Sequence, residues 1–199
     1  MGVIFFERSS MEDIDSYTIE ATRIRRSVVL YSELFEKESS VSVLSEQAGK
    51  AFSVIQRSMH DEILISLSRL FDTDCYKTKN QKYEYLSQRN IVEKYKASLT
   101  DKANIHRDET TKLKQEINIQ DYRDLKVAHN DKPTLVSSSS SVKHGISSNK
   151  VLDLLDHSIQ LMLCLKSSLS NQTEVSIPVD LNNKLEGVGN ELVAKLRKI

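Results

Sequence analysis

The sequence predicts an all-α protein, a helical bundle of four main helices with a C-terminal accessory helix. Three observations lead there. Apolar residues recur in alternating steps of three and four from Ile14 to Phe35, the period of one helix face held for many turns. The 199 residues include only 5 Gly and 2 Pro, too few turn-formers for a many-stranded sandwich or barrel. Hydrophobic residues make up 39% and charged residues 28%, which suits a solvated surface around one sizeable core.

The first helix is expected to begin after Ser9-Ser10, where a hydroxyl can accept a backbone N–H and Glu12 and Asp13 face the positive end of the dipole. Its seam is Ile14, Tyr17, Ala21, Ile24, Val28, Tyr31 and Phe35, and Ser39-Ser40 breaks the pattern. A second helix is expected from about Ser45 to Phe71, striped by Ala48, Phe52, Ile55, Met59, Ile63, Leu67 and Leu70. Gly49 costs it roughly 1 kcal/mol against Ala and weakens its first turns. Residues 72–84 read as a polar connection.

Ser87 can cap a third helix through Ile91, Val92, Tyr95 and Leu99, and Thr100-Asp101 can cap its continuation. Asp101 to Glu116 is mostly charged, with Ile105 and Leu113 as sparse anchors. It is either an exposed helix or a lever projecting from the bundle. The apolar pattern resumes with Ile117, Ile119, Tyr122, Leu125 and Val127-Ala128, and stops at His129-Asn-Asp-Lys-Pro133, because Pro133 disfavours helix at Lys132. Five serines, Ser137 to Ser141, mark a connector.

Ser147-Ser148 caps a last core helix with Val151, Leu152, Leu155, Ile159, Met162 and Leu163. After the irregular stretch Asn171 to Pro178, the residues Leu181, Leu185, Val188, Leu192 and Leu196 outline a weaker amphipathic helix, whose start Gly187 and Gly189 put in doubt. The bundle is assigned to residues 1–170, and a linker with the accessory helix to 171–199.

Lys+Arg and Asp+Glu both number 28, so the formal net charge is zero. A generally basic nucleic-acid coat is excluded, and any phosphate site must be local. Cys75 and Cys164 make no disulfide framework and no CxxC, and read as reduced thiols in a cytoplasmic protein. The apolar run near Met1 is too short for a signal-peptide core, and no stretch approaches the ~20 residues of a membrane span, so no membrane partner is expected.

No histidine follows a glutamate by three residues, and no His-x-x-x-His occurs, so helical di-iron and zinc spacings are absent and no metal or other cofactor is expected. Phosphate-cradling glycine loops and the Gly-x-Ser-x-Gly elbow are also missing. His60, beside the Met59–Ile63 stripe, and His106, in the charged stretch, read as solvated-face residues. His157, next to Leu154-Leu155, reads as a satisfied core histidine.

Tyr122-Arg-Asp-Leu-Lys-Val-Ala-His129-Asn-Asp-Lys-Pro133 stands apart. Arg123 offers a permanent planar cation suited to phosphate, and His129 exchanges a proton near neutral pH. Metal-free cleavage of an RNA phosphodiester needs both roles, an acid/base at the 2′-OH or leaving oxygen and a cation for the phosphate. Asp124 can orient either residue, while Lys126 and Asn130 can add substrate contacts. Six steps along a straight helix place the two side chains about 120° apart and ~9 Å displaced. They meet only if the helix breaks before His129 or a second copy completes the site. The competing reading is structural: Tyr122, Leu125 and His129 share a face, and His129 would answer the helix dipole.

Arg123-Asp-Leu-Lys-Val-Ala-His129-Asn-Asp resembles the R-x(4–6)-H signature of the HEPN superfamily, in which a polar residue after the arginine, here Asp124, is usual. Leu67-Ser-Arg-Leu-Phe-Asp72 ending an earlier helix, the Ala-His-Asn-Asp motif, and a final core helix like Val151 to Leu165 resemble its abortive-infection U-type branch. The resemblance spans about residues 10 to 168. It implies a compact helical bundle, often a homodimer with both motif copies facing one cleft. It implies metal-independent endoribonuclease activity for many members, often as toxins or phage-defence components, with RNA as substrate and an antitoxin protein as a further partner. Carried over by position, Arg123 and His129 form the catalytic pair and Asp124 assists. Other members are non-catalytic RNA-binding or protein-interaction modules, which stays open as the alternative. Arg23, Arg25, Arg26 and Lys126 are the expected local basic patch.

Overall fold

Four long helices carry the fold in the computed structural model, which describes residues 4–71, 75–77, 82–119, 146–170 and 186–199. They are α1 (Ile4–Phe35), α2 (Glu38–Phe71), α4 (Asp101–Ile117) and α5 (Ser148–Ser170); a short α3 (Gln88–Lys94) and the C-terminal α6 (Val188–Leu196) complete them. The protein is all-α apart from a two-stranded hairpin, β1 (Cys75–Lys77) against β2 (Lys82–Glu84), antiparallel with Tyr76 opposite Tyr83. These strands fall within residues 72–84, the stretch read as a polar connection.

The α1 seam is what the period demands. Ile14, Tyr17, Ala21, Ile24 and Val28 are all buried, with Tyr31 packed at the edge. They meet Ile63, Leu64, Leu67 and Leu70 of α2, Ile91 of α3, Ala103 and Ile117 of α4, and Val151, Leu154, Leu155, Leu161, Met162 and Leu165 of α5 in one core. Each such aliphatic side chain contributes about 1.5–3 kcal/mol on burial. α1 packs against both α2 and α5, and α4 packs along α5. A second, smaller core joins Leu34, Val43 and Leu44 to Val193 of α6.

Several boundaries differ from expectation. α1 starts at Ile4, ahead of Ser9-Ser10. The chain turns at Glu36-Lys37, because the Lys37 carbonyl accepts the N–H groups of Ser40 and Val41 and so opens α2 seven residues before Ser45. α2 is bent at Ala48, whose φ of −159° and ψ of 54° are non-helical, immediately before Gly49. Part of the expected stripe is not covered: Ala48 at the bend and Ile55 beyond it are exposed, on a stretch of α2 that is largely exposed over residues 51–58, whereas Ile63, Leu67 and Leu70 are buried.

The charged segment is one continuous helix lying on α5, with Leu113 packed at the core edge and Ile105 exposed rather than anchoring. Ser87 and Thr100 act as the expected caps: their hydroxyls accept the N–H groups of Asn90 and Ala103. The third helix ends at Lys94 and continues as a single tight turn at Lys96–Ser98.

Gly187, the N-cap of α6, and Gly189 in its first turn are its starting device. Gly187 has φ of 93°, a left-handed value that side chains resist. At Gly189 a Cβ would lie 2.8 Å from the Glu33 Cβ. The buried Glu33 carboxylate accepts the N–H of Gly187 at 2.7 Å and of Gly189 at 2.8 Å, so an α1 side chain caps α6 and opposes its dipole. Lys37 donates to Asn190 and Arg197 to the Ser39 carbonyl, fastening the helix to the α1–α2 corner. Among the described residues, no helix is long and apolar enough to cross a membrane.

Candidate functional site

Arg123, Asp124, Lys126, His129 and Asn130 lie outside the described residues, as do Tyr122, Leu125 and the serine run. The frame on either side is described. α4 ends at Ile117, and Asn118 adopts a left-handed φ of 52° with its N–H on the Lys114 carbonyl. Asparagine tolerates that conformation better than most residues, which explains a helix stop inside an otherwise apolar pattern. Ile119 is buried next to it.

Immediately beside that stop, α2, α3 and α4 enclose a cleft of about 430 Å³. Its apolar wall is Leu67, Phe71, Val92 and Ile119. Its charged rim holds Arg89, Arg107 and Lys114 against one carboxylate, Glu93. The walls are tied together. Lys114 Nζ donates at 3.0 Å to the Phe71 carbonyl, placing a cation at the negative end of α2 and above the Phe71 ring. Arg107 donates from Nε and Nη2 to Asp108 Oδ1. Arg89 is exposed and makes no ion pair among the described residues.

Behind the cleft runs a buried chain of hydroxyls and one amide. Ser158 donates to Gln88 Oε1 at 2.7 Å, so its oxygen must accept from Tyr17, 2.8 Å away. Gln88 Nε2 donates at 2.8 Å to Thr110, whose own hydroxyl donates at 2.7 Å to the Arg107 carbonyl. Tyr17, Ser158 and Thr110 are fully buried, and no buried side-chain polar atom lacks a partner among the described residues. Burial pushes the Tyr17 phenol well above its ordinary pKa. The chain links α1, α5, α3 and α4 and fixes the cleft's Gln88–Arg107 side.

Two members of the expected basic patch are neutralised. Arg23 is held by Glu20 at 2.8 Å and Glu62 at 2.7 Å, and these carboxylates push its pKa up. Arg25 sits on Asp156 at 2.6 Å, with Glu186 nearby, and is raised likewise. Both guanidinium groups are thus matched by carboxylates within the protein. His60 lies half-buried beside Asp61 and the Tyr31 ring.

His106 and His157 pair across α4 and α5, Nδ1 to Nδ1 at 2.9 Å. Burial, then His157, then Lys102 lowers the His106 pKa. His157 is therefore a paired, half-buried residue rather than one satisfied within the core. No group of three metal-ligating side chains exists among the described residues.

Sequence reasoning missed Gln88, Arg89, Arg107 and Lys114 as one site. They come from two helices and face a wall from a third, and no spacing in the chain announces that. The fragment Leu67 to Phe71, already singled out in the motif comparison, was the only trace.

Against known families, the model of the HEPN family described as AbiU2 matches residues 13–181, most of the chain. No curated protein and no solved structure matches.

Proposed function

The chain belongs to the AbiU2 family of HEPN domains, and from that premise we propose that it is a metal-independent endoribonuclease acting in abortive infection. The observation that carries the reading is the position of the motif in the chain. Arg123 follows Ile119, a wall residue of the cationic cleft, by four residues. Four residues of chain reach at most about 14 Å. The chain length between them thus allows Arg123 to act at that cleft, which supports the reading.

In the proposed reaction His129 takes the proton of a ribose 2′-OH. The 2′-oxygen then attacks the adjacent phosphorus, and the bond to the 5′-oxygen breaks. That leaving oxygen takes a proton from water or from the second copy, and a 2′,3′-cyclic phosphate remains. Arg123 stabilises charge on the phosphoryl oxygens, Asp124 orients the pair, and Lys126 and Asn130 contact substrate. A homodimer would bring two motif copies to one cleft, and an antitoxin protein would hold the activity in check.

The test is cleavage of end-labelled RNA by purified protein in excess EDTA. The expected result is cleavage with a cyclic phosphate end, reduced about 10²–10⁴-fold by His129→Ala or Arg123→Ala with helicity intact. Mixing the two single variants should restore part of the activity if sites are shared between copies. No cleavage of any RNA by the wild type favours the non-catalytic binding module.

A further inference from the structure

We infer that the α2–α3–α4 cleft is a pocket for one unpaired nucleotide of single-stranded RNA, seating a base against Phe71 and Val92 and a phosphate at Arg89. The inference takes RNA as the ligand from the proposed function, but assigns a site that the Arg–His motif does not contain.

Three properties of the cleft converge on a nucleotide unit. Its volume of about 430 Å³ lies in the range of small-ligand pockets and exceeds what a lone phosphate requires. Its lining is divided: Val92 and the accessible edges of Phe71 and Ile119, over a fully buried Leu67, offer apolar surface that suits a base, while Arg89, Arg107 and Lys114 offer cations that suit a phosphate. The polar groups are also unequally committed. Gln88 and Thr111 bond within the protein, Thr111 to the Arg107 carbonyl. Gln115 and Arg89 have no partner among the described residues. An amide can read a base edge by donating and accepting at once, and a guanidinium can take two phosphate oxygens.

Duplex RNA fits poorly, because paired bases cannot present a face to a wall; unpaired ones can. The cross-ties from Lys114 to Phe71 and from Gln88 to Thr110 fix the spacing of α2, α3 and α4 around the pocket.

The experiment uses the full chain carrying His129→Ala, so that bound RNA persists. The probes are a fluorescein-labelled 12-mer single-stranded RNA, the same RNA as a duplex, and free uridine and adenosine monophosphates. Expected is preferential binding of the single strand, weakened about tenfold by Arg89→Ala, with the slope of log affinity against log salt reduced by roughly 0.7. Gln115→Ala should alter the preference among 12-mers of different base composition. Arg57→Ala, an exposed arginine elsewhere on α2, should change nothing. Photocrosslinking with 4-thiouridine-substituted RNA should map to peptides containing Phe71, Val92 or Ile119.

Mononucleotide binding without strand binding would reassign the pocket to a free nucleotide and overturn the proposal. Equal binding by Arg89→Ala, or crosslinks confined to α1 and α6, would overturn it as well. The nuclease reading fails on a different result, the absence of wild-type cleavage, so the two failures are distinguishable.

Discussion

Ser158 is the member of the buried polar chain whose loss should cost most. Replacing it with alanine strands two groups at once. The Tyr17 hydroxyl loses its acceptor and the Gln88 Oε1 loses its donor, both in the interior. A buried polar group left unpaired costs about 1–3 kcal/mol, so Ser158→Ala should destabilise by about 3 kcal/mol. Tyr17→Phe removes only the donor to an oxygen whose own proton is already placed on Gln88, and should cost about 1 kcal/mol. In the double variant the phenol is gone, leaving Gln88 Oε1 as the sole orphan, so the double should be no less stable than Ser158→Ala alone. Urea unfolding followed by circular dichroism measures all four species. With m on the order of 3 kcal/mol/M, the Ser158→Ala midpoint should fall by about 1 M. Costs that add within about 0.5 kcal/mol, or a Tyr17→Phe loss equal to that of Ser158→Ala, would refute the donor assignment along the chain.

Other outcomes follow from single contacts. Gly189→Ala must push a Cβ against Glu33, so α6 should lift: amide exchange over residues 188–199 should quicken by at least about tenfold while exchange in α5 is unchanged. Glu33→Gln turns one accepting oxygen into a donor facing an N–H, and should produce the same local opening at about 1–2 kcal/mol. His106 is held below its unfolded pKa, so the unfolded state binds more protons near that pH and stability rises with pH there. Acidification from about pH 7.5 to 5.5 should therefore destabilise the protein, as this contribution is lost while pH falls through the folded pKa. His106→Asn should flatten that slope in thermal melts taken across the range, and an unchanged slope would exclude this pair as its source.

The seams of α1 and α5 were legible because a helix facing a core on one side must repeat its apolar residues at about 3.6, and Ile14 to Val28 do so without interruption. The caps at Ser87 and Thr100 were legible because the bond they make reaches only three residues onward. What escaped was whatever depends on distant partners. Gly187 and Gly189 look like helix breakers until Glu33, more than 150 positions away, is seen to cap them. The stripe of α2 misled at Ile55, which keeps the helical phase of Ile63 and Leu67 but lies on the largely exposed stretch 51–58, because periodicity gives a face and not the presence of a neighbour to cover it. The hairpin at Cys75–Glu84 escaped because it is held by backbone pairing rather than by an apolar alternation. The Arg123–His129 motif was legible as residues, whereas the α2–α3–α4 cleft was not: its cations and amides are scattered over α3 and α4 among many other charges.

Charge distribution explains how a chain of zero net charge can still present a phosphate site. Opposite charges are matched where helices meet: Lys94 with Asp13, Lys166 with Asp15, Arg25 with Asp156, Arg23 with Glu62, and Lys150 with Glu116. Such exposed or half-exposed pairs contribute little stability each, commonly below about 1 kcal/mol. Their larger effect is on the field. Each pair cancels its own charge at any distance beyond a few ångströms, and the remaining charges are screened over about 8 Å at physiological salt. What an approaching anion meets is then decided locally. At the α2–α3–α4 cleft, three cations share the lining with a single carboxylate, and Asp108 engages only one edge of Arg107. If RNA binds at that opening, reversing the charge of Arg89 should lower affinity far more than reversing that of Arg23 or Arg25, which are already paired.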